Sequence, residues 1–560
     1  MMQFPPRRTI PAAILLSLLS LASLPAQNVG GGIGELWLLE GDAANPNQLG
    51  MDLDLAGDLD GDGRDDWLLL EFGPTPQATI HSGQSPELVL WTSPPHPLFY
   101  APTAVAGAGD LDGDGFQDWA VGYESWGLTV FFGPDATRFL EIPGVGGAQV
   151  WKAGDVDGDG RPDLVSSAVA RYNRNFSGSD TIWLLSGFQP GGSFLSTTLT
   201  AAQLGVTTSG LGASFAALGT FTGTAAGDEF AIGALDLWTG FPSRFWVVGM
   251  VGGSLQATWQ PAPNPPSGYV GAGQGLGPMP DLDGDGLREL AAQGETPNTM
   301  QVDIWTASSP GAPLTTVSSS DPSRTHFGAA LASPGDLDGD GVADLLIGDP
   351  LAPGNATGVG ISGGEVTAWS GASLASGSPV PLMEWYGDDR NANLGSVFSQ
   401  PGDLNGDGRL EVVAGGPWGV TGVPVPGFAR ALGYAPWIAI SSGTLSAAAG
   451  GDLAVQLDFP ASEAGLDYHL FASSGTGPLV AGGIDLPLSY DSLFQTTLGL
   501  GAPFAGTLDS QGDAAFAITA APGQLSAFVG QTLFFAAASG DAATATGRLS
   551  SGPMPLEILP

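Results

Sequence analysis

The sequence predicts an all-β protein built mainly from one repeated strand–loop–strand unit, with a second β domain at its C-terminal end. Three observations lead to this prediction. Gly and Pro account for 88 and 45 of the 560 residues, which favours many short strands joined by tight turns over long helices. A nine-residue Asp-rich motif recurs along most of the chain. After the last copy, the sequence changes to segments rich in Ala, Gly, Ser and Thr.

The charge balance limits the classes of partner. The chain has 56 acidic and 15 basic residues, for a net charge of −41. Such a chain repels nucleic acids and anionic membrane surfaces and attracts cations, so we expect no nucleic-acid binding. There is no Cys, which excludes disulfides and thiol catalysis.

The N-terminal segment has the features of a secretory leader. Arg7 and Arg8 precede an apolar run over residues 10–24, and Ala26 follows it as the expected last residue of a signal peptide spanning 1–26. No later segment has about 18 uninterrupted apolar residues, so no transmembrane segment is expected. The predicted location is secreted, extracellular or at the cell surface, with the periplasm as the alternative.

The repeated motif is Asp-x-Asp-x-Asp-Gly-x-x-Asp/Glu. Its copies begin at Asp58, Asp110, Asp155, Asp281 and Asp336 and, with Asn in the third position, at Asp403. The gap between the third and fourth copies is about twice the others. Residues 211–233 fill this gap with similar framing glycines and a closing apolar strand, but Thr220, Thr222 and Thr224 replace the Asp triplet. We therefore predict seven repeats, of which six bind a cation.

The chemistry of the motif indicates calcium. Ca²⁺ takes six to eight oxygen ligands with loose geometry, and positions 1, 3 and 5 of a tight loop can all point inward. Gly at position 6 permits the turn, position 7 offers its backbone carbonyl, and position 9 adds a carboxylate. The predicted ligands of about six structural Ca²⁺ are Asp58, Asp60, Asp62, Arg64 and Asp66; Asp110, Asp112, Asp114, Phe116 and Asp118; Asp155, Asp157, Asp159, Arg161 and Asp163; Asp281, Asp283, Asp285, Leu287 and Glu289; Asp336, Asp338, Asp340, Val342 and Asp344; and Asp403, Asn405, Asp407, Arg409 and Glu411.

Three alternatives to this interpretation are less favourable. An EF-hand needs an acidic position 12 followed by a helix, whereas position 12 is Leu69, Val121, Ser166, Ala292, Ile347 or Ala414 and short apolar segments follow. Mg²⁺ demands near-ideal octahedral geometry, which a flexible loop of carboxylates suits poorly. Solvated turns would leave four acids repelling one another without a cation.

The repeat resembles the FG-GAP family, best at Phe327-Gly-Ala-Ala with residues 335–350, and the resemblance covers roughly residues 33–430. It implies a seven-bladed β-propeller of four-stranded blades, and the spacing of the repeats independently supports seven. The strand at residues 34–41 precedes the first loop without a blade of its own. We predict that this strand closes the last blade.

The predicted domains are the propeller at 27–435 and a β-sandwich at 436–560. In the latter, Leu453, Val455, Leu457 and Phe459 alternate along one face, and residues 514–520 and 532–538 are apolar enough for strands buried on both sides. This region resembles the tail domains of secreted proteins from planctomycete-type bacteria, and the resemblance implies no particular activity.

No catalytic signature stands out. The four histidines belong to no metal-binding pattern, and there is no nucleophile elbow or phosphate loop. A glycosidase-type pair among Glu384, Asp388 and Asp389 is the one candidate. We predict a non-catalytic binding or adhesion scaffold for a protein or glycan. The alternative is a secreted polysaccharide-active enzyme, a lyase or hydrolase, with its site at the propeller centre.

Overall fold

The computed structural model describes residues 29–30, 33–41, 48–72, 75–98, 100–169, 181–189, 192–205, 210–234, 244–262, 275–296, 299–319, 324–338, 340–352, 363–387, 393–405, 408–416, 427–434, 437–459, 463–475, 479–481, 484–486, 488–541 and 546–560. The chain divides into two compact units. One is Ile33–Ala435, and the other joins Pro436–Pro560 to the short strand Val29–Gly30. The predicted leader at 1–26 lies outside the described residues.

The described strands of the larger unit form seven four-stranded antiparallel sheets. Two strands come before sheet 1 in the sequence, β1 (Val29–Gly30) and β2 (Ile33–Glu40). Of these, β2 belongs to sheet 7. Sheet 1 is β3 (Gln48–Gly57), β4 (Asp66–Phe72), β5 (Gln77–His81) and β6 (Val89–Thr92). Sheet 2 is β7 (Pro102–Gly109), β8 (Asp118–Tyr123), β9 (Gly127–Phe132) and β10 (Arg138–Pro143). Sheet 3 is β11 (Gln149–Gly154), β12 (Asp163–Ser167), β13 (Thr181–Gln189) and β14 (Ser193–Thr200).

The remaining sheets continue the pattern along the chain. Sheet 4 is β15 (Leu211–Gly219), β16 (Glu229–Ala234), β17 (Arg244–Val251) and β18 (Ser254–Trp259). Sheet 5 is β19 (Leu276–Met279), β20 (Glu289–Thr296), β21 (Thr299–Trp305) and β22 (Thr315–Ser318). Sheet 6 is β23 (Ala330–Gly335), β24 (Asp344–Asp349), β25 (Glu365–Trp369) and β26 (Pro381–Tyr386), with α1 (Gly371–Ala375) before β26. Sheet 7 is β27 (Val397–Phe398), β28 (Val412–Gly416), β29 (Phe428–Tyr434) and β2.

The sheets form a closed ring. The first strand of each sheet contacts the first strand of the next, and β27 of sheet 7 contacts β3 of sheet 1. Sheet 7 is completed by β2, whose residues from Ile33 to Glu40 pair antiparallel with β29 from Tyr434 to Phe428. The all-β propeller architecture and the closing role of the N-terminal strand are therefore confirmed.

The core of the ring lies between neighbouring sheets. One cluster joins Leu184 of sheet 3 to Trp246 and Val248 of sheet 4, for example, and all three side chains are buried. Trp67 and Trp119 are also fully buried in second strands, as expected for core rather than for ligand platforms. Burial of each large apolar side chain stabilises the fold by roughly 1.5–3 kcal/mol.

The smaller unit contains two main sheets in its described part. One is β1, β30 (Ile438–Ile440), β32 (Gly451–Asp458) and β37 (Asp513–Ala520), in that order. The other contains β31 (Thr444–Ser446), β33 (Asp467–Ser473), β36 (Ala505–Thr507), β38 (Thr532–Asp541), β39 (Thr546–Ser550) and β40 (Met554–Leu559). A small hairpin, β34 (Leu479–Ala481) with β35 (Ile484–Leu486), and the helices α2 (Ser492–Leu498) and Ser526–Phe528 complete it.

The burial of side chains in this unit confirms two of the predictions made for it and contradicts a third. Leu453, Val455, Leu457 and Phe459 are all buried, which confirms the alternation. Most of β38 is buried between β33 and β40, as expected. The prediction that residues 514–520 are buried on both sides is wrong, because only Phe516 and Ala520 are buried there. The reason is that β37 lies at the edge of its sheet.

Candidate metal centres

The six Asp-rich segments and their Thr-containing counterpart are the corners that join the first and second strands of the seven sheets, so all of them lie at one end of the ring. We number them with their sheets: loop 1 (58–66), loop 2 (110–118), loop 3 (155–163), loop 4 (220–229), loop 5 (281–289), loop 6 (336–344) and loop 7 (403–411). Gly61 and Gly63 of loop 1 have φ values of 78° and 88°, which non-glycine residues rarely adopt. The glycines of the motif therefore permit the corner.

Backbone hydrogen bonds curl each Asp-rich loop around its first carboxylate. In loop 1, Asp58 Oδ1 accepts from the N–H of Gly61 at 2.7 Å, and Asp58 Oδ2 accepts from Gly63 at 2.9 Å. The corresponding bonds of loops 2 and 5 have the same lengths. The position-5 carboxylate accepts from the N–H of position 7, as Asp62 does from Arg64 at 2.9 Å. The loop is thus folded by its own main chain around the predicted ligands.

The position-9 carboxylates are buried at the base of the loops. Each accepts a hydrogen bond from the N–H of position 2, at 2.6–2.9 Å. In loops 1, 2 and 6 the second oxygen also accepts an N–H, from Gly83, Gly133 and Gly371 respectively. In loops 3 and 5 the buried oxygens Asp163 Oδ1 and Glu289 Oε1 have no hydrogen-bond partner among the described residues.

Five loops bring carboxylates close enough to share one ion. Within each cluster, the candidate ligand atoms lie within 4.8 Å of one another. The clusters are Asp58, Asp60 and Asp62; Asp110, Asp112 and Asp118; Asp155, Asp157 and Asp163; Asp281, Asp283, Asp285 and Glu289; and Asp336, Asp338 and Asp344. Loop 5 therefore assembles all four of its predicted side-chain ligands, and each of the others assembles three.

Most of the remaining predicted ligands also have defined places. Asp66 is held by two backbone N–H groups, and Asp114, Asp159 and Asp340 accept from position 7. Phe116, Arg161, Leu287 and Val342 enter these arrangements through their main chain. In loop 7, Asp407 lies outside the described residues, and the side chain of Asn405 donates to Glu411 at 3.4 Å. Arg409 stacks over Tyr434 at 3.9 Å and donates to the carbonyl of Asp336.

The electrostatics of the clusters favour a bound cation. Burial, with a smaller contribution from neighbouring carboxylates, raises the pKa of Asp66 and Asp118 to about 6, of Asp163 and Asp344 to about 7 and of Glu289 to about 8. A divalent cation would supply the missing opposite charge and lower these pKa values. The unpartnered oxygens of Asp163 and Glu289 lie in the same clusters. The residues present therefore fit an oxygen-ligated metal ion.

Loop 4 is organised without a charge cluster. The Thr222 hydroxyl donates to Glu229 Oε1 at 2.7 Å, and the N–H groups of Phe221 and Thr222 donate to Glu229 Oε2. The hydroxyls of Thr222 and Thr224 are 2.6 Å apart. Gly219 pairs with Glu229, whereas Gly57 pairs with Asp66, so loop 4 is one residue longer than loop 1. Hydroxyl and amide donors take the place that a cation would have.

Two further acids, which the sequence analysis did not assign, connect neighbouring loops. The N–H of Asp65 donates to the carbonyl of Asp403 at 2.8 Å, and the N–H of Asp403 donates back to Asp65 Oδ2 at 2.9 Å. Asp228 and Asp155 form the same reciprocal pair, at 2.7 and 2.9 Å. We call these pairs latches. Their signal in the sequence is an extra acid directly before the position-9 acid, which is present only in loops 1 and 4.

The candidate glycosidase pair receives no support as a cluster. Glu384 accepts a hydrogen bond from the hydroxyl of Tyr386 at 2.5 Å on an outer strand of sheet 6. Asp388 and Asp389 lie outside the described residues.

Comparison with protein families agrees with the repeat assignment. Residues 110–166 and 281–347, which contain loops 2, 3, 5 and 6, match the family model of the FG-GAP-like repeat. Among solved structures, the chain is similar to BBS1N in complex with ARL6DN, soaked with mercury or lead, at 12% identity and a TM-score of 0.39 over 73% of this chain and 98% of that one. It is similar to the Dos1 propeller at 11% identity and a TM-score of 0.36, over 65% and 75% of the two chains. No curated protein matches it.

Proposed function

We propose that this chain, which carries FG-GAP-like repeats, is a secreted or cell-surface binding scaffold whose propeller is held in shape by about six Ca²⁺. Its domains are the leader at 1–26, the propeller at 27–435 and the β-sandwich at 436–560. The partner is a protein or a glycan. FG-GAP repeats are typical of extracellular proteins, and the helices in the described residues, α1 and α2 among them, are too short to cross a bilayer.

The observation that carries the proposal is the chemical difference between the two ends of the sheets. At one end lie the loops with their carboxylate clusters. At the other end, the turn after β8 and the connection into β7 place four aromatic rings together. His96 packs against Trp126 at 4.3 Å, Tyr123 at 4.7 Å and Tyr100 at 5.4 Å between ring centroids.

This aromatic cluster is the favoured contact surface for the partner. Tyr100 is 38% exposed, and the neighbouring Leu98 is 64% exposed. Aromatic side chains supply large, rigid contact areas at binding surfaces. Calcium would stabilise the opposite end of the same sheets, so metal binding supports the shape of the scaffold rather than contacting the partner.

Removal of calcium with a chelator tests the proposed structural calcium sites. Thermal unfolding of the mature chain, followed by circular dichroism in 1 mM CaCl₂ and then in excess EGTA, should show a fall in Tm of about 10 °C or more. The same experiment with MgCl₂ should restore little of the loss, because the loops suit the larger ion. An unchanged Tm at low ionic strength would contradict structural calcium sites.

Binding without catalysis is tested by screening the calcium-loaded protein on a glycan array and measuring turnover of the glycans that bind. We expect retention without cleavage. A substitution of Trp126 by Ala should weaken retention, whereas the same change at Trp183, on the third strand of sheet 3, should not. Turnover of a bound polysaccharide would favour the alternative, a lyase or hydrolase acting at the propeller centre.

A further inference from the structure

The axis of the ring contains a cavity of about 540 Å³. Its lining includes residues from the first strand of every one of the seven sheets, from Asp52 of β3 to Phe398 of β27. This volume falls within the range of small-ligand sites, about 300–1,000 Å³. The cavity is separate from the aromatic cluster and from the metal ligands of the loops.

One side of the cavity carries an aromatic platform. Trp151 of β11 and Phe215 of β15 both line it, and their rings stack at 5.0 Å with an interplanar angle of 10°. Phe215 stacks in turn on buried Phe230 at 5.5 Å, which anchors the platform in the core. The side formed by sheets 5 and 6 is lined by smaller residues, including Leu276, Pro278 and Ala330.

The same cavity is lined by two of the 15 basic residues of this acidic chain, Lys152 and Arg288. Neither side chain forms an ion pair within 4.0 Å in the described part of the chain. Lys152 lies beside Gly109, with its Nζ 3.4 Å from the position that a Cβ on this glycine would take. Arg288 lies beside Gly219, with its Nε 3.6 Å from the corresponding position. Both glycines directly precede loops, so the two cations lie at the loop end of the cavity.

The nearby carboxylates are already engaged by the main chain. Asp54 accepts from the N–H groups of Gly107 and Gln400, Asp52 accepts from Val105, and Asp65 accepts from Asp403. These bonds join the first strands of sheets 1, 2 and 7 rather than neutralising a cation directly. Lys152 acts on Asp54 and Asp65 only through space. Asp228, which also lines the cavity, accepts from the N–H of Asp155. No carboxylate lies within 4.0 Å of Lys152 or Arg288 in the described part of the chain, so both cations can attract an incoming anion.

We propose that this cavity binds a carboxylated sugar, such as a uronic acid residue of an acidic oligosaccharide. The sugar ring packs on the Trp151–Phe215 platform, and its carboxylate faces the loop end of the cavity, where Lys152 and Arg288 lie. An apolar wall with a few convergent polar groups is the usual composition of a small-ligand site. A neutral sugar would gain no charge attraction from either cation, so the cavity favours the acidic form.

Calcium should control this binding through charge. The loops surround the end of the cavity where the two cations lie, and six Ca²⁺ would offset twelve negative charges there. Without calcium, the uncompensated carboxylates repel an acidic sugar. In this respect the inference rests on the proposed function, because it takes the loaded ring as the binding-competent form.

The test is calorimetric titration of the calcium-loaded full-length mature chain with α-1,4-linked digalacturonate, with the neutral disaccharide of the same linkage as the comparison. We expect the acidic disaccharide to bind at least about tenfold more tightly. Lys152→Gln and Arg288→Gln should each weaken its binding about tenfold or more, the effect of losing a hydrogen bond to a charged group. Arg244→Gln, on the third strand of sheet 4 and outside the cavity, should change it less than twofold.

The platform has its own pair of variants. Trp151→Phe should retain most of the affinity, and Trp151→Leu should lose it, with Tm in calcium measured for both to show that they remain folded. Absence of digalacturonate binding by the folded, calcium-loaded protein would overturn the inference, as would unchanged binding by Lys152→Gln and Arg288→Gln. Binding of only a protein or a neutral glycan would overturn the inference and leave the proposed function standing, whereas an unchanged Tm in EGTA would count against the proposed function itself.

Discussion

Loops 4 and 5 occupy equivalent corners of neighbouring sheets and stabilise a buried carboxylate in different ways. Loop 5 gathers Asp281, Asp283, Asp285 and Glu289 into one cluster and leaves Glu289 Oε1 without a hydrogen-bond partner among the described residues. Loop 4 has one buried acid, Glu229, and gives it a hydroxyl and two N–H donors. A buried carboxylate must find positive charge or hydrogen bonds. The comparison shows that the buried carboxylate at the corner of a propeller sheet can be stabilised by hydrogen-bond donors, as in loop 4, or left to a cation, as we propose for loop 5.

The largest effect should come from removing the acid that organises the metal-free corner. Glu229→Ala leaves the buried N–H of Phe221 and the neighbouring groups of Thr222 without an acceptor, at a cost of about 3 kcal/mol. Urea unfolding in calcium and in EGTA should show the same loss, because no ion is involved. A loss that depended on calcium would mean that loop 4 binds a metal after all.

The second effect is a difference between loops 5 and 4 in how far the stability of their variants depends on calcium. Asp281→Ala should remove one ion from loop 5 and cost about 2–3 kcal/mol at saturating calcium, but little in EGTA. Metal analysis should show one calcium fewer per chain. The matched change at position 1 of loop 4, Thr220→Ala, should alter neither the calcium content nor the stability by more than about 0.5 kcal/mol.

A third experiment tests whether added negative charge alone can convert loop 4 into a calcium site. Replacement of Thr220, Thr222 and Thr224 by Asp should add no bound calcium, because the loop is one residue longer and has Ala225 where loop 1 has Gly63 at φ 88°. We expect a destabilisation of about 1–2 kcal/mol from repulsion with Glu229. An additional calcium per chain would show that loop length and Gly matter less than ligand number.

A smaller effect concerns the latch between loops 3 and 4. Asp228→Ala removes the bond from the N–H of Asp155 and should cost about 1 kcal/mol. Because Asp155 is a predicted ligand in loop 3, the affinity of that loop for calcium should also fall. Asp65→Ala should act in the same way on loop 7. Additive effects of the two substitutions would agree with latches that lie on different sheets.

The dependence on pH tests the corners that gather carboxylates. The pKa values of Asp163 and Glu289, about 7 and about 8, are raised by burial. A carboxyl group with a raised folded-state pKa binds its proton more tightly in the folded state, so protonation stabilises the fold. The EGTA-treated protein should therefore gain stability as the pH falls from about 8 to about 6. The calcium-dependent part of Tm should shrink over the same range, because protons compete with the ion.

Local sequence predicted the ring well, because its signals are local. Five Asp triplets and one Asp-Asn-Asp triplet, with their glycines and the apolar segments after them, mark the corners and second strands. The strand at 34–41 had no other partner. Loop 4 was harder, because a nine-residue template that starts at Thr220 ends at Asp228, whereas the structure uses Glu229. The edge position of β37 also depends on strand order, which composition does not reveal.

The groups that meet across the ring could not be predicted from spacing. Trp151 and Phe215 come from different sheets, as do Lys152 and Arg288, and only ring closure places them around one cavity. The same holds for the Asp65–Asp403 latch, whose partners are 338 positions apart in the chain. Such contacts need the order of the sheets as well as their identity.

The pairing of β2 with β29 determines when the propeller can fold. Sheet 7 stays incomplete until β29, which ends at Tyr434, has been synthesised and can pair with β2, so the ring stays open until then. Pairing over so long a separation is slow compared with hairpin formation. The seam between sheets 7 and 1 is therefore the last part of the ring to form.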